Sequence, residues 1–112
     1  MNPDLEINKK IEELQVLESH LQRILAQKQS VQIELNEIDN ALEELKNSDE
    51  EAYKIVSGFM IKSTKDKLGN ELKEKKKLFE MRMESVEKQE EIIEKNAEKL
   101  REEVKSVVSK GK

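Results

Sequence analysis

The 112-residue chain has no cysteine, no tryptophan, a single proline and only three aromatic residues, Tyr53, Phe59 and Phe79. Lack of cysteine excludes disulfides and thiolate metal sites and suits a reducing cytoplasm. Proline and glycine are both missing from Asp4 to Ser57, so nothing breaks the backbone of the first half. No apolar run approaches the roughly 20 residues that a membrane span requires, and the N-terminus lacks the apolar stretch of a signal peptide. The expectation is a cytoplasmic protein. Hydrophobic residues make up 35% of the chain against 41% charged, which argues against a compact core of ordinary depth.

The usual marks of chemistry are missing as well. His20 is the only histidine, and it lies at the flank of an apolar stripe with no metal-binding cluster about it. Paired acids such as Glu43-Glu44 and Glu90-Glu91 have no concave surroundings to shift their protonation, and there is neither a phosphate loop nor a nucleophile motif. An enzyme is therefore not expected, and no cofactor or metal is implied. The net charge is -4 and acidic and basic residues alternate along the chain, so nucleic acid is a poor fit. The densest basic group, Lys73, Lys75, Lys76 and Lys77, is interrupted by Glu71, Glu74 and Glu80 and reads as a solvated helix face.

A Lys- and Glu-rich chain either stays disordered or confines its apolar residues to a seam, and here the period decides. Asn2 and Pro3 read as a helix start. With heptad position a on Ile7, Leu14, Leu21, Lys28, Leu35 and Leu42, position d falls on Lys10, Leu17, Ile24, Val31, Ile38 and Leu45; ten of the twelve are apolar. Six unbroken heptads specify a coiled coil. Lys28 within this seam either specifies register or snorkels past its neighbours. The pattern stops in the polar cluster Lys46 to Glu51.

There the period changes. Tyr53 to Val56 and Phe59 to Lys62 are β-branched or aromatic-rich runs separated by Ser57-Gly58, the signature of a two-residue β-hairpin. Alternation puts Val56, Phe59 and Ile61 on one side and Tyr53, Ile55 and Met60 on the other, so both faces are apolar. A lone two-stranded hairpin is marginal in water, and one with two apolar faces and two open edges needs a cover. The cover is either the chain's own helix ends or equivalent hairpins of other subunits closing a barrel; the narrow helix stripe favours the latter. Ser63 to Asp66 then carries a helix-start pattern. Position d holds Leu72, Phe79, Val86, Ile93, Leu100 and Val107, and position a holds Lys76, Met83, Glu90, Ala97 and Val104, nine of eleven apolar. Gly111 reads as a C-terminal cap. The fold class is mainly α: a long antiparallel two-helix coiled coil with one central β-hairpin. It forms a single domain over 1–112, with a helix at about 2–47, loop and hairpin at about 48–62, and a helix at about 63–109.

Helices of matched length, each roughly 60 to 70 Å at 1.5 Å per residue, would bring the two free ends together. There the stripe widens, with Leu5 and Ile11 beside Ile7 on one helix and Val108 beside Val104 and Val107 on the other. Pattern alone leaves two roles open: locking frayed helix ends, or binding a partner.

Taken together, the long helix with Gln27-Lys28-Gln29, Asn36-Glu37 and Ala41-Leu42-Glu43-Glu44-Leu45, the single hairpin with Tyr53-Lys54 and Ser57-Gly58, and the second helix with Glu87-Lys88-Gln89-Glu90-Glu91 resemble the β-type subunits of the archaeal prefoldin family. The resemblance covers nearly the whole chain, and one hairpin matches the β-type, since α-type subunits carry two. It implies a hetero-hexamer of two α and four β subunits around a hairpin-built β-barrel. It further implies an ATP-independent holdase whose arm tips hold unfolded polypeptides and deliver them to a group II chaperonin. By position, Tyr53, Ile55, Val56, Phe59, Met60 and Ile61 would build the oligomer, and Leu5, Ile7, Ile11, Val104, Val107 and Val108 would touch clients. The rival reading is a structural coiled-coil scaffold or adaptor that binds one folded partner.

Overall fold

The computed structural model describes residues 3–49 and 51–110. Two helices flank one hairpin: α1 Pro3–Lys46, β1 Glu51–Val56, β2 Phe59–Thr64 and α2 Lys65–Lys110. The expected fold class, two long helices around a single hairpin, is what the chain adopts. Asn2, Glu50 and Gly111, read above as cap, turn and cap, lie outside the described residues. Pro3 does open α1, where its missing N–H costs no hydrogen bond.

All twelve α1 heptad positions and all eleven on α2 are buried or half-buried. Such a narrow stripe can be covered only by a second stripe. The helices run antiparallel, for residues pair in descending against ascending order: Lys10 with Glu103, Lys28 with Glu90 and Asp39 with Lys76. The chain divides into two compact units, residues 1–28 with 85–112, and residues 29–84.

In the first unit Ile24 and Ala97 are the buried centre, Ala97 with no exposure at all, and Ile7, Leu14, Leu17, Leu21, Ile93, Leu100, Val104 and Val107 are half-buried around them. Lys28, a seam lysine, does not simply snorkel to solvent. Its Nζ donates to Glu90 Oε1 at 3.0 Å, and Glu90 is itself a seam residue. In the second unit Ile38, 3% exposed, is the buried residue, and Phe79 is half-buried between Lys75 and Arg82, whose cationic groups lie 6.0 and 4.9 Å from the ring centroid. Lys76, the other polar seam residue there, reaches Asp39 at 2.8 Å.

Local hydrogen bonds end α1 at Lys46. Asn47 and Ser48 donate backbone N–H groups to the carbonyls of Glu44 and Leu45, the tightened turn typical of a helix end. Ser48 Oγ also donates to Leu45 O at 2.9 Å, and Lys65 Nζ donates to Lys46 O at 2.9 Å. A cation from the start of α2 thus sits at the negative end of the α1 dipole. The hairpin is longer than the two apolar runs: it extends back to Glu51 and forward to Thr64, with Glu51 paired to Thr64 and Ala52 to Ser63. A 3.2 Å ion pair between Glu51 and Lys62 supports that extension. Since Ser63 is extended within the ladder, it cannot cap α2; Thr64 does so, its Oγ1 accepting from the Lys67 N–H at 3.2 Å.

Candidate functional site

The hairpin turn is Ser57-Gly58, with φ of 50° and 84°. Two positive φ values in succession are the type I′ geometry whose twist matches that of the strands, and only the second position has glycine to accept it without strain. The register pairs Val56 with Phe59, Ile55 with Met60 and Lys54 with Ile61. One face therefore carries Ala52, Lys54, Val56, Phe59, Ile61 and Ser63, and the other Glu51, Tyr53, Ile55, Met60, Lys62 and Thr64.

These faces are not equivalent. On the first, Ala52, Lys54 and Ser63 are half-buried at the base, and Lys54 Nζ lies 3.4 Å from Glu71 of α2. An open cleft of about 700 Å³ lies beside this base, with Ala41, Leu45, Leu68 and Leu72 contributing its apolar helix wall. On the second face every residue is exposed. All six hairpin residues named from the sequence, Tyr53, Ile55, Val56, Phe59, Met60 and Ile61, are exposed, Ile55 at 73% and Phe59 at 74%. The chain's own helices leave them uncovered. Such a density of apolar surface on so short an element makes the hairpin a candidate interaction site.

The six residues named at the helix ends belong to the first unit, and Lys10 with Glu103, 3.4 Å apart, shows that their helix segments are neighbours. Their exposure differs from one residue to the next. Leu5 is 69% and Val108 46% exposed, while Ile7, Ile11, Val104 and Val107 are half-buried. Ile11 and Val108 occupy the same flanking heptad position, so the seam widens towards one side at this end. The result is an apolar strip, partly spent on the seam and partly open.

Several features are not singled out by the heptads. Val16, Leu25 and Ile33 on α1 and Leu78, Met81 and Ile92 on α2 are large, apolar and exposed away from the seam. The Lys28–Glu90 pair was readable in principle: folding the chain about Ser57-Gly58 sets Lys28 near residues 87–90. Hydrogen bonding to Glu90 raises the Lys28 pKa above the ordinary lysine value, and the hydrogen bond to Asp39 does the same for Lys76. Among the described residues there is no group of acids or histidines arranged to hold a metal, and no helix is long and apolar enough to cross a membrane.

Comparison with known proteins agrees with this architecture. A family model described as "Prefoldin subunit" matches residues 8–111. The prefoldin subunit beta of Saccharolobus islandicus is 36% identical over 107 residues, 94% of this chain and 85% of the relative. That of Caldivirga maquilingensis is 34% identical over 103 residues, 90% of this chain and 85% of the relative. The crystal structure of the prefoldin beta subunit from Thermococcus strain KS-1 superposes with a TM-score of 0.85 at 33% identity, covering 90% of each chain.

Proposed function

Because the chain belongs to the prefoldin family, in its β-type branch, we propose that it is a holdase subunit that captures unfolded polypeptides at its helix ends without ATP and delivers them to a group II chaperonin. Prefoldins are chaperones, and a β-type subunit assembles with other prefoldin subunits. The finer reading is a cytoplasmic hetero-hexamer of two α and four β subunits, in which the hairpins close a shared β-barrel. Tyr53, Ile55, Val56, Phe59, Met60 and Ile61 become the assembly surface, and Leu5, Ile7, Ile11, Val104, Val107 and Val108 the client surface.

The observation that carries this reading is uncovered apolar surface on a chain that is otherwise charged. A hairpin with both faces apolar needs a cover, and the chain's own helices leave its six large apolar residues exposed. At the helix ends the apolar strip is small, so one chain binds an unfolded segment weakly; several such ends tethered in one assembly gain avidity while each contact remains easy to release. Both properties suit a carrier that must let go.

The test is aggregation of a chemically denatured model protein, diluted into buffer without nucleotide, in the presence of this chain assembled with a two-hairpin α-type partner. Light scattering should be suppressed at a stoichiometric ratio of complex to client. An assembled complex that leaves scattering unchanged would point to a scaffold for one folded partner and contradict the holdase reading.

A further inference from the structure

Heptad seams are promiscuous, because any apolar stripe of the same period can pair with any other. The polar residues that interrupt this seam are distributed unevenly: both on α1 are lysines, Lys10 and Lys28, while α2 has Lys76 and Glu90. Each finds an opposite charge on the other helix: Lys10 with Glu103 at 3.4 Å, besides Glu6 of its own helix at 3.8 Å, Lys76 with Asp39 at 2.8 Å, and Lys28 with Glu90 at 3.0 Å. Only in the last pair do both partners occupy seam positions, and their side chains are 32% and 17% exposed. Glu87 and Glu94 of α2 also act on the Lys28 ammonium. Ile24, one turn from Lys28, and Ala97, one heptad from Glu90, are the most completely buried residues of the unit.

An ion pair in such a place is a poor stabiliser. Replacing a partly buried pair by apolar residues of similar volume is commonly neutral or stabilising, whereas leaving one of its charges alone is costly. What the pair does provide is discrimination. If α1 coiled in parallel with α1 of another chain, Lys28 would meet Lys28 and Lys10 would meet Lys10; two α2 helices would bring Glu90 against Glu90. Compared with these parallel pairings, α1 with α2 leaves neither charge opposed by its own sign.

We propose that Lys28 and Glu90 are specificity-determining residues that restrict each seam to α1 with α2 and prevent like helices of neighbouring chains from coiling together. This inference rests on the oligomeric reading above, since only in an assembly do several identical seams lie at a local concentration that rivals the tether within one chain.

The native lack of cysteine makes a direct test possible. Leu21→Cys, one heptad from Lys28, faces α2 in the native seam but would face its own counterpart if two α1 helices paired in parallel. Under mild oxidation this parent should form little interchain disulfide. Adding Lys28→Leu and Glu90→Leu should raise the cross-linked fraction about fivefold or more, the ratio expected for loss of about 1 kcal/mol of discrimination, with no fall in the thermal midpoint. The exchanged pair Lys28→Glu with Glu90→Lys should behave as the parent. The inference is overturned if the leucine pair cross-links no more than the parent, if the exchanged pair cross-links as much as the leucine pair, or if cross-linking rises only with a lowered midpoint. Native mass of the unoxidised parent is read alongside. A parent that stays monomeric even when mixed with a two-hairpin α-type subunit would overturn the oligomer reading itself, which is a different result from failure of the pairing rule in chains shown to associate.

Discussion

The hairpin and the helix ends both carry six apolar residues of interest, but they spend them differently. On the hairpin all six are exposed, whereas at the helix ends only Leu5 and Val108 are, and the other four are half-buried. The contrast follows from local structure. A strand turns alternate residues to opposite faces, so a two-stranded hairpin cannot bury both of its own faces; a heptad stripe is made to be covered by its neighbour. A large uncovered surface of high β-propensity suits permanent association, and a small strip at the margin of a seam suits transient contact.

The contrast would break most visibly through the hairpin. Ile55→Ser with Phe59→Ser removes one large apolar side chain from each face, and at about 2 kcal/mol or more for each central interface residue it should convert the oligomer into free subunits. Sedimentation velocity checks this, and circular dichroism should show the helices retained. The corresponding change at the other region, Leu5→Ser with Val108→Ser, should leave the sedimentation profile unaltered and weaken capture of a denatured client several-fold, since each contact is worth about 1 to 2 kcal/mol and acts through avidity. If the second pair dissociated the complex, or the first left it intact, the assignment of roles would be reversed.

Two smaller effects sharpen the account of how the hairpin is held. Lys65→Met removes the cation from the Lys46 and Ser48 carbonyls at the end of α1, and should cost about 0.5 to 1 kcal/mol in urea denaturation. Gly69→Ala works in the opposite direction. A Cβ there would lie 3.6 Å from Leu45 Cδ2, an ordinary contact, so the gain in helix propensity should stabilise the chain by about 0.5 to 1 kcal/mol.

Most of this architecture was legible in the sequence because it depends on period alone. Position a on Ile7 predicts the covered face of α1 through Leu45, and Leu72 to Val107 does the same for α2. Ser57-Gly58 specifies its turn by chemistry, as the two positive φ values demand. Features that depend on what lies across the seam were less accessible. Lys28 had two readings until Glu90 was placed opposite, and the extension of the strands to Glu51 and Thr64 depends on cross-strand pairing instead of propensity. The helix-end residues were legible as a widened stripe, yet which of them remain open is decided by packing: Leu5 lies outside the seam entirely, whereas Ile7 is part of it.

The central claim is that the doubly apolar hairpin is an assembly module that this chain cannot satisfy by itself. Native mass spectrometry of the purified chain, alone and mixed with a two-hairpin α-type subunit, tests it most directly. Oligomers of the chain alone, converting to a hexamer of two α and four β subunits on mixing, are the expected result; a stable monomer that remains a monomer in the mixture would contradict it.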